Sequence, residues 1–114
     1  MKDKATIFKA LSDPNRLRIL KMLQMKPLCV CEITEVLDLA TSTVSEHLRV
    51  LKKEGFIYEK RDGKWVNYLI NKHPADPRIS AFLSTLDFWI GNDKVIEKDK
   101  KKVAVVDRVE VCSR

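Results

Sequence analysis

Three cysteines carry the most reactive side chains in this 114-residue sequence. Cys29 and Cys31 are separated by one residue, whereas Cys112 lies near the end of the sequence. Thiolates bind soft ions, and they can also be oxidised. A Cys-x-Cys pair alone is a weak signal, because free cysteine often serves as a small buried hydrophobic residue. The odd number and close spacing argue against a disulfide framework, so we expect reduced thiols.

A second group of polar side chains begins near residue 42. Val44, Leu48 and Leu51 recur at helical spacing, which predicts a helix over residues 42–54 with this row facing the core. The hydroxyls of residues 41–43 offer N-caps for it. Short hydrogen-bonding and charged side chains near its N-terminus then face outward, namely Ser42, Thr43, Ser45, Glu46 and Arg49.

Capping residues mark the ends of the other helices, which must position the cysteines and the polar residues after position 41. Asp13 and Pro14 begin one helix, which ends at Lys26 because the residue before a proline avoids the α region. Residues 7–11 form a short apolar segment before it. Another short helix precedes residue 41, and its apolar residues are Val30, Ile33, Leu37 and Leu39.

After residue 55 the pattern changes from helix to strand. Residues 56–61 and 65–70 are rich in β-branched and aromatic residues, and the Asp62-Gly63-Lys64 segment between them predicts a hairpin. Two short helices, a tight polar turn and a hairpin follow the order of a winged helix-turn-helix, whose second helix fits a DNA major groove. We therefore predict a mainly α fold with a two-stranded β-hairpin wing (α+β).

Composition limits the size and the partners of this fold. A hydrophobic share of 45% supports one modest core, so we expect a single domain over residues 1–92. Residues 93–114 form either a charged tail or a short final helix. The net charge of +6 suits DNA. No segment approaches the roughly 20 apolar residues of a membrane helix, so we expect a cytoplasmic protein without a membrane partner.

Two segments carry a specific family resemblance. Residues 10–20, ALSDPNRLRIL, and residues 42–52, STVSEHLRVLK, resemble the entry and recognition helices of the ArsR/SmtB family of winged helix-turn-helix repressors. The resemblance covers roughly residues 5–90. It implies a homodimer on double-stranded operator DNA, with contacts to base edges or phosphates from Ser45 and His47, and contacts to phosphates from Arg61, Lys64 and Lys52.

The helix over residues 78–90 has a broad apolar side, which independently indicates a dimer interface. This side could instead cover the core of a monomer. The candidate dimer-interface residues are Ile7, Phe8, Leu83, Leu86, Trp89 and Ile90.

The segment LCVCEI at residues 28–33 resembles the cysteine-bearing helix of the thiophilic-metalloid and heavy-metal sensors in this family. The resemblance implies that Cys29 and Cys31 bind arsenite or another thiophilic ion as an effector, with Cys112 as a candidate third ligand. Thr34 stands where the arsenite-sensing pattern has another cysteine. Residues two apart on an α-helix point to nearly opposite sides, so we expect chelation to distort the start of this helix.

Other functions are less consistent with the sequence. Residues 78–93 contain no histidine, which argues against the zinc or nickel site of related sensors. Without a phosphate loop or an acid-base pair, we expect no enzyme, and no cofactor is needed for folding. A regulator with redox-sensing cysteines or with no effector, and a winged-helix module for protein contacts, remain as alternatives.

Overall fold

The computed structural model describes residues 1–112, which fold into seven helices and three strands. None of these helices is both long and apolar enough to cross a membrane. The elements in chain order are α1 (Lys2–Ala10), α2 (Pro14–Met25), β1 (Leu28–Cys29), α3 (Val30–Leu37), α4 (Thr41–Lys53), β2 (Ile57–Asp62), β3 (Trp65–Ile70), α5 (Pro77–Ile90), α6 (Lys94–Val105) and α7 (Arg108–Val111).

Local capping sets the ends of the helices around the helix-turn-helix. The Asp13 carboxylate accepts the Asn15 backbone N–H at 2.8 Å and starts α2 as expected. At the other end of the unit, Gly55 with φ +89° ends α4, and the Phe56 N–H donates to the Leu51 carbonyl at 3.0 Å. This is the Schellman pattern, in which glycine adopts the left-handed conformation without steric cost. The chain can therefore turn directly from α4 into the wing.

The wing is an antiparallel hairpin of β2 and β3, with Asp62 paired to Trp65 across a two-residue loop. Gly63 has φ +62° at the first loop position, as in type II′ turns. A third strand, β1, pairs with β3, and the sheet order is β1-β3-β2. The sequence did not reveal β1, because two residues are too few to show alternation.

The core fills the space between the helices and the base of the wing. Val44, Leu48 and Leu51 of α4 are buried as predicted, so the opposite side of α4 faces solvent. The mainly α winged helix-turn-helix fold is thereby confirmed. The largest side chains of this core are Phe56, Ile19, Leu20, Met22, Leu28, Ile33, Leu48, Leu51, Ile57 and Ile79.

The segment after residue 92 forms α6 and α7, and α6 packs against the domain. Val103 belongs to the same core as the helix-turn-helix. Asp99, which is only 2% exposed, accepts hydrogen bonds from the Arg18 guanidinium at 2.8 and 2.9 Å. A buried carboxylate needs such a partner, so this ion pair fixes α6 on α2.

We expect Arg18→Leu to destabilise the fold by about 3 kcal/mol, because it leaves the Asp99 carboxylate buried without a partner. Removing one partner of a buried ion pair usually costs about 3–5 kcal/mol, and we expect the lower value because Arg18 is partly exposed. Urea denaturation measures the loss. The double variant Arg18→Leu, Asp99→Leu should recover most of it, and equal stability of the wild type and the single variant would contradict the role of this pair.

Candidate DNA interface and cysteine cluster

The outward side of α4 carries the hydrogen-bonding groups that the sequence predicted. Ser42, Thr43 and Ser45 are all exposed in its first turns. The N-cap is Ala40, which makes no side-chain capping bond, so the expectation of a hydroxyl N-cap is wrong. Because α4 begins one residue early, at Thr41, these hydroxyls remain available to a ligand.

His47 is partly buried on α4. Its side chain is 12% exposed and lies against the start of α2. The Nδ1 atom is 3.4 Å from the Arg16 guanidinium, and the Nε2 atom is 3.9 Å from the Asp13 carboxylate. These distances place His47 beside the start of α2, and its predicted contact with base edges or phosphates stays a prediction.

Two cations of α4 are paired with carboxylates. The Arg49 guanidinium donates to Glu46 at 2.6 and 2.9 Å, and this bond lowers the pKa of the Glu46 carboxyl. The Lys52 ammonium pairs with Glu59 of β2, which raises the pKa of Lys52. Both pairs are exposed, so water screens them and a phosphate can compete for either cation.

The tip of the wing presents two more cations. Arg61 is exposed on β2, and the Lys64 ammonium lies 4.7 Å from the centre of the Trp65 ring. Arg108 of α7 covers the same ring at 4.2 Å and donates to the Asp62 carboxylate at 2.9 Å. No sequence motif singled out Arg108, because its wing partners lie more than 40 positions earlier in the chain.

The three cysteines converge at the junction of β1, α3 and α7. Their sulfur atoms lie within 4.8 Å of one another, and those of Cys29 and Cys112 are 3.7 Å apart. Cys31 and Cys112 form a disulfide with a Cα–Cα distance of 5.4 Å. The expectation of three reduced thiols is therefore wrong for this structure, because α6 and α7 bring Cys112 back to α3. We call these three residues the cysteine cluster.

The convergence requires no distortion of α3. Cys29 belongs to β1 and is the N-cap of α3, with φ −88° and ψ 168°, so only Cys31 has helical geometry. The predicted distortion assumed that both residues are helical, and that assumption is wrong. The Glu32 carboxylate accepts the Cys29 N–H at 3.0 Å and completes a capping box. The Cys29 residue is 3% exposed, and its burial raises the pKa of the thiol.

The candidate dimer residues differ in their exposure. Ile7, Leu83 and Leu86 are buried in the core of the chain itself, so they offer little surface to a partner. Trp89 is 72% exposed and lies beside Phe88, which is 84% exposed and was not predicted. Phe8 is also exposed, and Ile90 is half-buried.

Comparison with known proteins identifies the family. The sequence model described as "Bacterial regulatory protein, arsR family" matches residues 13–59. An HTH-type transcriptional regulator from Methanocaldococcus jannaschii is 39% identical over 84 residues, which are 73% of this chain and 90% of the relative. The chain belongs to the ArsR family. The matched segment of this ArsR-family protein includes α2, α3, α4 and the start of the wing.

Two further relatives carry names that refer to resistance. A homolog of the cadmium resistance regulator CadC from Staphylococcus aureus is 40% identical, with 71% of this chain and 69% of the relative aligned. The arsenical resistance operon repressor of Escherichia coli is 37% identical, with 59% of this chain and 58% of the relative aligned.

Solved structures agree with this fold. HlyU from Vibrio cholerae aligns with a TM-score of 0.66 at 26% identity, covering 79% of this chain and 94% of that chain. A homodimeric winged helix-turn-helix DNA-binding domain from Mycobacterium bovis aligns with a TM-score of 0.65 at 24% identity, covering 82% of each chain. The family match and the named relatives show that this chain is a DNA-binding transcriptional regulator.

We expect Ser45→Ala to weaken binding to a specific duplex by about 1–3 kcal/mol, because it removes a hydrogen-bonding group from the outward side of α4. Fluorescence anisotropy against a duplex selected from a random library by the wild type measures this loss. Ser84→Ala on α5 is the control. If Ser45→Ala kept the wild-type affinity and sequence preference, Ser45 would not contact the bases.

Proposed function

We propose that this ArsR-family repressor binds an operator as a homodimer and releases it when a thiophilic ion binds Cys29, Cys31 and Cys112. The observation that supports an ion site is the convergence of three sulfur atoms within 4.8 Å. Soft thiolates select soft ions, and these sulfurs come from separate elements that an ion can draw together.

Arsenite fits this set of donors best among the thiophilic ions. Arsenic(III) forms three bonds, so arsenous acid can exchange its three hydroxyl groups for three thiols and release three water molecules. The cluster supplies the three sulfur donors for such a product. A cadmium ion would need further ligands beyond these sulfurs. The names of two relatives refer to arsenical and to cadmium resistance, which supports a thiophilic ion as the effector. These names do not distinguish arsenite from cadmium.

The Cys31–Cys112 disulfide favours redox sensing as a second candidate function. It leaves Cys29 as the free thiol of the cluster, so ion binding needs the reduced protein. Under the second candidate, formation of the disulfide itself would change DNA affinity, and no ion would be required.

The operator contacts follow from the exposed side of α4 and the wing. In a homodimer, the two α4 helices would read half-sites about 34 Å apart, one turn of DNA. Ser42, Thr43 and Ser45 would face the bases, and Arg49, Lys52 and Arg61 would meet phosphates. The dimer would cover the apolar groove between α1 and α5, where Phe8 packs edge-on against Phe82.

We expect arsenite to release the reduced wild type from its operator, because ion binding favours the free form of the protein. A coupling of about 1–3 kcal/mol weakens DNA binding 5- to 150-fold. Cys29→Ser, Cys31→Ser and Cys112→Ser should each bind DNA normally and respond weakly to the ion. Anisotropy titrations of protein reduced with tris(2-carboxyethyl)phosphine, which has no thiol to compete for the ion, measure both properties with and without arsenite.

Parallel titrations separate the alternatives. Cadmium replaces arsenite in one arm, and the oxidised protein without any ion is used in another. Release of the Cys29→Ser, Cys31→Ser double variant at wild-type arsenite concentrations would exclude the thiol site. Release by oxidation alone would favour the redox candidate.

We expect Trp89→Glu to dissociate the dimer, because it would place an unpaired charge in an apolar interface. Sedimentation velocity over a concentration series measures the association. Val105→Glu is the control, since it adds the same charge at an exposed apolar position of α6. Leu86→Glu is unsuitable because Leu86 belongs to the core. A dimeric Trp89→Glu variant would place the interface elsewhere.

A further inference from the structure

We infer that Arg108 is a positioning residue that connects the cysteine cluster to the DNA-contacting wing. The inference rests on the proposed function, in which the cluster is the effector site. Through Arg108, a rearrangement of the cysteine cluster would alter DNA binding by the wing. Three sets of contacts support it.

The first set joins Arg108 to the cluster within one helical turn. The Cys112 N–H donates to the Arg108 carbonyl at 2.9 Å. At the start of the same turn, the Asp107 carboxylate accepts the Val109 N–H at 2.9 Å and caps α7. We therefore expect a displacement of the Cys112 sulfur to move Arg108, because the two residues belong to one hydrogen-bonded turn.

The second set joins the Arg108 guanidinium to both strands of the wing. It donates to the Asp62 carboxylate at 2.9 Å on β2 and to the Asn67 side-chain oxygen at 3.4 Å on β3. Its Cζ atom lies over the Trp65 ring, 4.2 Å from the ring centre. Arginine suits this position because its planar group can form an ion pair and stack on an aromatic ring at the same time.

The third set returns from the wing to the cluster. Asn67 is the direct β-partner of Cys29 in the pairing of β1 with β3. Two chains of contacts therefore join the cluster to Arg108. One runs from Cys112 through the α7 turn, and the other runs from Cys29 through Asn67. The sulfur atoms of Cys29 and Cys112 are 3.7 Å apart. An ion that rearranges the cysteines must alter the contacts in at least one of these two chains.

The charge of Arg108 gives this path an effect on DNA binding. Asp62 lies next to Arg61 and close to Lys64 at the tip of the wing, where its carboxylate would repel a phosphate. Arg108 neutralises that carboxylate while α7 remains in place. When the cluster rearranges and Arg108 withdraws, Asp62 becomes an uncompensated negative charge beside DNA, and affinity falls.

The experiment compares reduced wild type with Arg108→Gln and with Lys101→Gln, which removes the same charge from an exposed site on α6. Calorimetry measures arsenite binding, and anisotropy measures DNA binding with and without arsenite. We expect all three proteins to bind arsenite alike. Arsenite should weaken DNA binding of the wild type and of Lys101→Gln about 5- to 150-fold, and that of Arg108→Gln by less than about twofold.

A second readout needs neither DNA nor a functioning repressor. In a Trp89→Phe background Trp65 is the remaining tryptophan, and its emission reports the Arg108 contact. We expect its emission to change when arsenite binds or when dithiothreitol opens the Cys31–Cys112 disulfide. The change should disappear in Arg108→Gln. Asp62→Asn cuts the same link from the wing, and it provides a second test if Arg108→Gln does not fold.

The outcomes distinguish the two proposals. If arsenite does not release the wild type from DNA, the proposed function fails, and the Trp65 response to reduction decides the Arg108 link alone. Wild-type coupling in Arg108→Gln, or a Trp65 response that persists in Arg108→Gln, would overturn the inference. Loss of coupling in Arg108→Gln and Asp62→Asn with unchanged arsenite binding would support it.

Discussion

The pairing of β1 with β3 is the constraint on which the candidate sites depend. Leu28 pairs with Tyr68 and Cys29 pairs with Asn67, so the segment between α2 and α3 is joined to the wing by backbone. Leu28 is fully buried, which fixes the register because a slip of one residue would turn its side chain outward. This register directs the Cys29 sulfur toward α7. Cys29 of the cysteine cluster and the wing therefore belong to one small sheet.

The C-terminal helices complete that arrangement. Residues 28–33 supply only two of the three sulfurs, and Cys112 reaches them because α6 is tied to α2 by Arg18 and Asp99. Helix α6 buries Ile96, Asp99 and Val103, whereas α7 contributes no buried residue of its own. A change at the cluster is thus transmitted more easily through α7 and the wing than through the core, since elements with few buried contacts move at the lowest cost.

The sequence predicted the parts of the fold that depend on local chemistry. Asp13, Gly55 and the hairpin turn mark element ends through their own conformational preferences, and the apolar spacing of α4 fixes its buried side. Contacts that depend on distant partners could not be predicted from a local pattern. The local pattern of residues 28–29 is that of a helix start, because it does not show the pairing with β3. Nor does the pattern around His47 show its contact with Arg16 of α2. Cys112 could be related to Cys31 only after α6 had a place.

Carboxylates pair with several cations of α4, α7 and the wing, so the charge of this surface depends on its conformation. Arg49, Lys52 and Arg108 are each paired with an acidic residue on α4 or the wing. The exposed pairs of α4 are screened by water, so phosphates with their condensed counterions can replace the carboxylates when DNA binds. The Asp62 pair differs because its cation belongs to α7, which lies outside both α4 and the wing. The charges of the other two pairs all belong to α4 and the wing, so their sum on this surface is constant. Where α7 carries the cation, the charge of the wing depends on the position of α7, and therefore on the sulfur of Cys112.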